Sequence, residues 1–210
     1  MSSARDTVLG RIRDALALAP TPAVVLPRDY RTGRVLPDDE RLAQFTDRLL
    51  DYQARVRPCT ADRTAEAVGE LLREHGVRRI GVPAGLDVRW LAGYDGEVLE
   101  DDADVPAPQL DTLDAVVTAS AAGCAETGTI FLDGSPGQGR RALSLVPDLH
   151  LCVVDLSAVE VGVPEAVARL VPERPTTLIS GPSATSDIEL ERVEGVHGPR
   201  RLVVVIRTDA

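Results

Sequence analysis

Three short segments of this 210-residue chain concentrate side chains able to do chemistry. The first, Thr118-Ala119-Ser120-Ala121-Ala122-Gly123-Cys124-Ala125-Glu126-Thr127-Gly128-Thr129, is a run of small residues between two apolar stretches. Such a run lets a backbone come close to a ligand or to another backbone. The one carboxylate, Glu126, beside the hydroxyls of Thr127 and Thr129, can orient a polar group. It serves equally as a tightly packed crossover with Glu126 bonded to nearby amides, and spacing alone favours that plainer role. The second, Gly181-Pro182-Ser183-Ala184-Thr185-Ser186-Asp187-Ile188-Glu189, follows an apolar strand-like run. Ser186 and Glu189 have capping-box spacing, which predicts a helix start whose free amides suit a carboxylate or phosphate, although the capping box also satisfies those amides unaided. Asp187 and Glu189 partly cancel the positive potential that an anion needs. The second glycine of a GxSxG nucleophile elbow is missing, which weakens a serine-hydrolase reading. The third, His197-Gly198-Pro199-Arg200, puts an imidazole on a turn, where it can exchange a proton, next to a guanidinium able to grip a carboxylate with two hydrogen bonds. A weaker fourth, Asp133-Gly134-Ser135-Pro136-Gly137-Gln138-Gly139-Arg140-Arg141, has glycines and arginines that could cradle an anion but reads first as a flexible turn.

Composition removes several chemistries. All 23 basic residues are arginine, so Schiff-base catalysis, a P-loop lysine and a lysine general base are excluded. Cys59, Cys124 and Cys152 are widely separated with no CxxC, and His75, His150 and His197 are scattered without HExxH, so no metal site, cluster or cofactor of its own is expected. Cys124 has no basic neighbour in sequence and reads as a small buried hydrophobe. A net charge of −10 opposes nonspecific binding to nucleic acid or anionic lipid. With no apolar run long enough to span a bilayer and no secretory signal pattern, the cytoplasm is the expected compartment.

The elements that must position these segments follow from periodicity. Residues 3–19 read as a helix opened by a capping-box-like Ser3 and Asp6, with Val8, Ile12, Leu16 and Ala19 on one side. Prolines 20, 22, 27 and 37 mark an extended arm, after which Asp38 is expected to cap a second helix carrying Leu42, Phe45, Leu49, Tyr52 and Val56. From Pro58 the rhythm becomes helix and strand in turn, with apolar runs at 79–83, 114–118, 129–132, 151–154, 176–180 and 202–206. This predicts a helical N-terminal extension with a Pro-rich linker over 1–57 and an α/β domain over 58–210, its sheet buried on both faces and its ligands beyond the carboxyl ends of the strands.

The three leading segments, taken in order with Ala125-Glu126-Thr127-Gly128-Thr129, Gly181-Pro182-Ser183 through Asp187-Ile188-Glu189, and Gly195-Val196-His197-Gly198-Pro199-Arg200, resemble the lactate utilization protein C family, the stand-alone form of the LUD domain. The chain departs from the family pattern at Ala184, where a basic residue is common, and at Ser186, where alanine is. The resemblance implies a NagB/RpiA/CoA-transferase-like sheet flanked by helices. It also implies a part in oxidising L-lactate to pyruvate alongside separate iron–sulfur subunits as partners. The motif residues then become the expected site: Glu126, Asp187 and His197 for chemistry, and Thr127, Gly128, Thr129, Ser183, Thr185 and Arg200 for binding a small carboxylate. Two other readings stay open: an independent enzyme of that fold group acting on an acyl-CoA, folate or sugar phosphate, and a non-catalytic assembly subunit docking through its N-terminal helices. Homo-oligomerisation is open as well.

Overall fold

The computed structural model describes residues 3–18, 25–185, 193–195 and 197–210. The chain divides into two compact units, Met1–Arg31 and Thr32–Ala210. The first holds α1 (Ala4–Leu18), whose start is closed as the sequence predicts. The Asp6 amide donates to Ser3 Oγ at 3.2 Å, and the Ser3 amide and hydroxyl donate back to the Asp6 carboxylate.

In the second unit a six-stranded, wholly parallel sheet runs in the order β1 (Arg55–Cys59), β12 (Arg201–Arg207), β7 (Leu149–Asp155), β4 (Ala115–Ala119), β2 (Arg79–Pro83), β3 (Glu97–Asp101). Its central strands are apolar throughout because both faces are covered, and alternate residues sort to opposite sides. Leu149, Leu151, Val153, Val203 and Val205 pack with Ala67, Val68, Leu71 and Leu72 of α3 (Thr64–Glu74). Cys152, Val154, Leu202, Val204 and Ile206 face the other way, onto Phe45 and Leu49 of α2 (Asp38–Asp51) and onto Ile130 and Leu132. The Leu/Phe seam of α2 is therefore buried within this unit. Asp38 does not cap the helix as expected: Pro37 takes the cap position without a side-chain bond, and Asp38, inside the first turn, pairs with Arg41 at 2.7 Å.

The α/β class and the helix-flanked, mainly parallel sheet agree with expectation, but two of the apolar runs leave the main sheet. A second sheet has the order β8 (Val159–Glu160), β5 (Ala122–Cys124), β6 (Thr129–Leu132), β9 (Thr177–Ile179), with β5–β6 and β6–β9 antiparallel. The small-residue run expected as a crossover thus contains its own strand, and Ala125-Glu126-Thr127-Gly128 is the turn of a hairpin. Spacing could not show this, because Ala-Gly-Cys carries no strand pattern. Gly123 stands in β5 because a Cβ there would come 3.2 Å from the Phe45 ring and 3.0 Å from Val159.

Candidate functional site

The second and third motifs are stitched together around Ser183. Its amide donates to the Pro199 carbonyl at 2.8 Å, its carbonyl accepts from the Gly195 amide at 3.0 Å, and its hydroxyl oxygen accepts from the His197 amide at 3.1 Å. Just beyond, the short strands β10 (Ala184–Thr185) and β11 (Val193–Glu194) pair antiparallel, with Thr185 opposite Val193. Asp187 and the helix start expected at Ser186 lie outside the described residues.

These segments form one wall of a cleft of about 350 Å³, which Ser180, Ser183 and His197 line from one side and Arg141, His150 and Leu202 from the other. His150 and Leu202 are register partners near the starts of β7 and β12. The cleft therefore opens at the amino ends of the central strands and not at their carboxyl ends, where an open single sheet would place it. The second sheet is the reason: β9 runs into the Gly181 turn at that end, so the crevice forms between two sheets.

The first motif reaches this cleft through hydroxyls and not through its carboxylate. Thr127 Oγ1 lies 2.7 Å from Thr129 Oγ1, which lies 2.8 Å from Ser180 Oγ on the cleft wall. Glu126 is absent from the cleft lining, and Arg34 Nη1 donates to its Oε1 at 3.3 Å. Arg200 is held by Asp148, which also takes Arg201 at 3.1 Å. Burial pushes the Asp148 carboxyl up, and the hydrogen bonds and charges of the two arginines outweigh it and hold the group below the usual carboxylate range.

Two motif glycines serve packing on the last turn of α2. Gly128 has φ +61°, and a Cβ would stand 2.8 Å from Arg48 Cβ, while Gly181 at φ +87° would meet Tyr52 Cβ at 2.7 Å. Gly128→Ala is expected to cost about 2 kcal/mol, combining left-handed strain with overpacking. Urea unfolding of the two proteins checks this, and an unchanged midpoint would show that the α2 contact does not constrain the turn.

Two contributors escaped the sequence reading. Arg141, the first residue of α5 (Arg141–Leu145), was visible only as part of the weak fourth segment. It is exposed at the cleft, and its guanidinium makes no hydrogen bond or ion pair with a described residue. His150 was one scattered histidine, although a polar residue inside an apolar strand is itself a signal. It is 1% exposed, its Nε2 lies 2.8 Å from Thr118 Oγ1, and burial drives its pKa down to about 4, so the imidazole is neutral. Among the described residues no group of His, Cys, Asp and Glu could hold a metal ion, and no helix is long and apolar enough to cross a membrane.

The fold is that of a parallel α/β protein with a cleft of small-molecule size between two sheets. The LUD domain matches residues 42–206, and the chain belongs to that family, in its lactate utilization protein C branch. Lactate utilization protein C of Deinococcus radiodurans is 48% identical over 196 residues, 90% of each chain. The protein of that name from Shouchella clausii is 33% identical over 98% of both. The crystal structure of a DUF162 family protein from Deinococcus radiodurans superposes with a TM-score of 0.70 at 42% identity, covering 82% of this chain and 99% of that one.

Proposed function

We propose that this chain serves L-lactate utilization, as a component of a system that oxidises L-lactate to pyruvate with separate iron–sulfur subunits, and that its cleft binds the small carboxylate. Relatives named for lactate utilization match over nearly the whole chain. The observation that carries the cleft assignment is the meeting of the second and third motifs on one cavity that also holds the uncommitted guanidinium of Arg141. Arg141 supplies from α5 the cation that the turn itself lacks at Ala184. In this reading Arg141 forks onto the carboxylate, Ser180 and Ser183 offer hydroxyls, and His197 accepts the proton of the lactate hydroxyl while the Cα hydrogen leaves with its electron pair to the oxidising partner subunits, which yields pyruvate. Glu126 acts on the site by tying the 33–34 segment to the hairpin turn through Arg34.

The test pairs binding with growth. L-lactate titrated into the full chain should bind, and Arg141→Ala should weaken it about tenfold, the scale of one charge-assisted hydrogen bond at an exposed site. A strain lacking the gene should lose growth on L-lactate and regain it with the wild-type chain but not with an Arg141→Ala, His197→Ala double variant. Undiminished growth of the deletion strain would overturn the role, and full rescue by the double variant would overturn the site.

A further inference from the structure

A second cavity of about 520 Å³ adjoins the cleft, sharing Arg141, Ser144 and Thr177 with it and extending over the Asp133–Arg141 turn to Arg174. Three guanidiniums, from Arg140, Arg141 and Arg174, line it, in a chain whose net charge is −10. Two of them are held rigidly. Arg140 forks onto the buried Asp101 at 2.8 and 2.9 Å and donates to the Val105 carbonyl. Arg174 donates to Ser135 Oγ at 2.8 Å and lies 3.4 Å from Asp133.

Asp133 accepts from the Ser135 amide and hydroxyl and from Arg174. Gln138 is 3% exposed, and its Oε1 accepts from the Asp133 amide at 2.6 Å, which fixes the orientation of the side chain. Its amide nitrogen then has no acceptor among the described residues, and neither has the Arg141 guanidinium. The carboxylate and carbonyl acceptors of these side chains are already engaged, while the groups left over are donors and carry one net positive charge. A nearly buried amide is stable in such a place when a ligand rich in acceptor oxygens meets it.

We infer that this cavity is a phosphoryl-binding site, in which the Gln138 amide and the guanidiniums of Arg141 and Arg174 hold the oxygens of a phosphate group. Leu132, Pro175 and the turn glycines leave room for an uncharged organic body attached to it. The site shares Arg141 with the proposed lactate cleft, and its test uses other ligands and a residue outside that cleft, Gln138, so that either assignment can fail alone.

Inorganic pyrophosphate, adenosine monophosphate and malonate titrated into the full chain by calorimetry decide the question. Pyrophosphate or the monophosphate should bind at one site. The monophosphate binding tighter indicates a phosphate ester, and pyrophosphate binding tighter indicates the free ion; either supports the assignment. Arg141→Ala and the isosteric Gln138→Glu should each weaken binding at least tenfold. Arg89→Ala, which removes the same charge from a surface pair with Asp87, should change it less than twofold. Arg141 has no structural partner to lose, so it carries the test even where Gln138→Glu fails to fold. No binding of either phosphate at millimolar concentration, tighter binding of malonate, or equal weakening by Arg89→Ala would overturn the site.

Discussion

Replacing Phe45 by alanine is expected to lower stability by about 3–5 kcal/mol, the usual cost of emptying an aromatic site in a packed core. Phe45 is fully buried at the point where α2 meets both sheets, in one cluster with Cys152, Val154 and Val204 of the main sheet and Ile130 of the second. The tip of its ring rests where Gly123 has no side chain. No neighbour can swing in to fill the space, because the covering atoms belong to strands pinned on both sides. For a unit of this size the loss corresponds to a fall in melting temperature of roughly 10 °C. Leu50, five residues on in the same helix and 54% exposed, is the control: Leu50→Ala should stay within about 0.5 kcal/mol. Thermal melts of the two variants that coincided would show that α2 is not integral to the core. Because Arg48 and Tyr52 at the end of the same helix seat the Gly128 and Gly181 turns, Phe45→Ala should also loosen the cleft.

Acid is expected to destabilise the protein between about pH 6.5 and pH 4 through His150. Its pKa is about 4 in the folded chain against the ordinary histidine value of 6.5, because burial penalises the imidazolium. Over that window the unfolded chain binds the proton and the folded chain does not, so stability is fully present above pH 6.5 and declines as pH falls. The whole loss is about 3 kcal/mol, from 1.36 kcal/mol per pH unit. The depressed carboxyls of Asp133 and Asp148 act lower: their contribution is present above the ordinary Asp pKa of 3.8 and disappears as pH drops through their folded values. Urea midpoints at pH 7, 5.5 and 4 separate the two effects. His150→Gln should flatten the slope above pH 4 and leave the loss below it, and an unaltered slope would remove His150 as its source.

Periodicity was most informative where burial is two-sided or one-sided in a regular way. The strand at 79–83 matches its expected place, and His197 lies on a turn, as the Gly-Pro that follows it suggests. It was uninformative for β5, whose three small residues form a strand only because Phe45 and Val159 require a flat partner there. The site was half legible. Ser183 and His197 meet because a loop closes over them, and the hydroxyls of Thr127 and Thr129 connect to that loop through Ser180. The pairing of Glu126 with Arg34, from an arm with no periodic signal, had no sequence trace.

Residue order alone determined the class of fold, the family and the turn at His197-Gly198-Pro199, because these depend on local alternation, on glycine and proline, and on linked short patterns. Tertiary structure alone decided that α2 belongs to the core, that the cleft opens at the amino ends of the strands, and that Arg141 and His150 face it while Glu126 and Arg200 are held by other charges. Those outcomes depend on which surfaces two sheets and a helix bury against one another, a competition between segments far apart in the chain that no local pattern records.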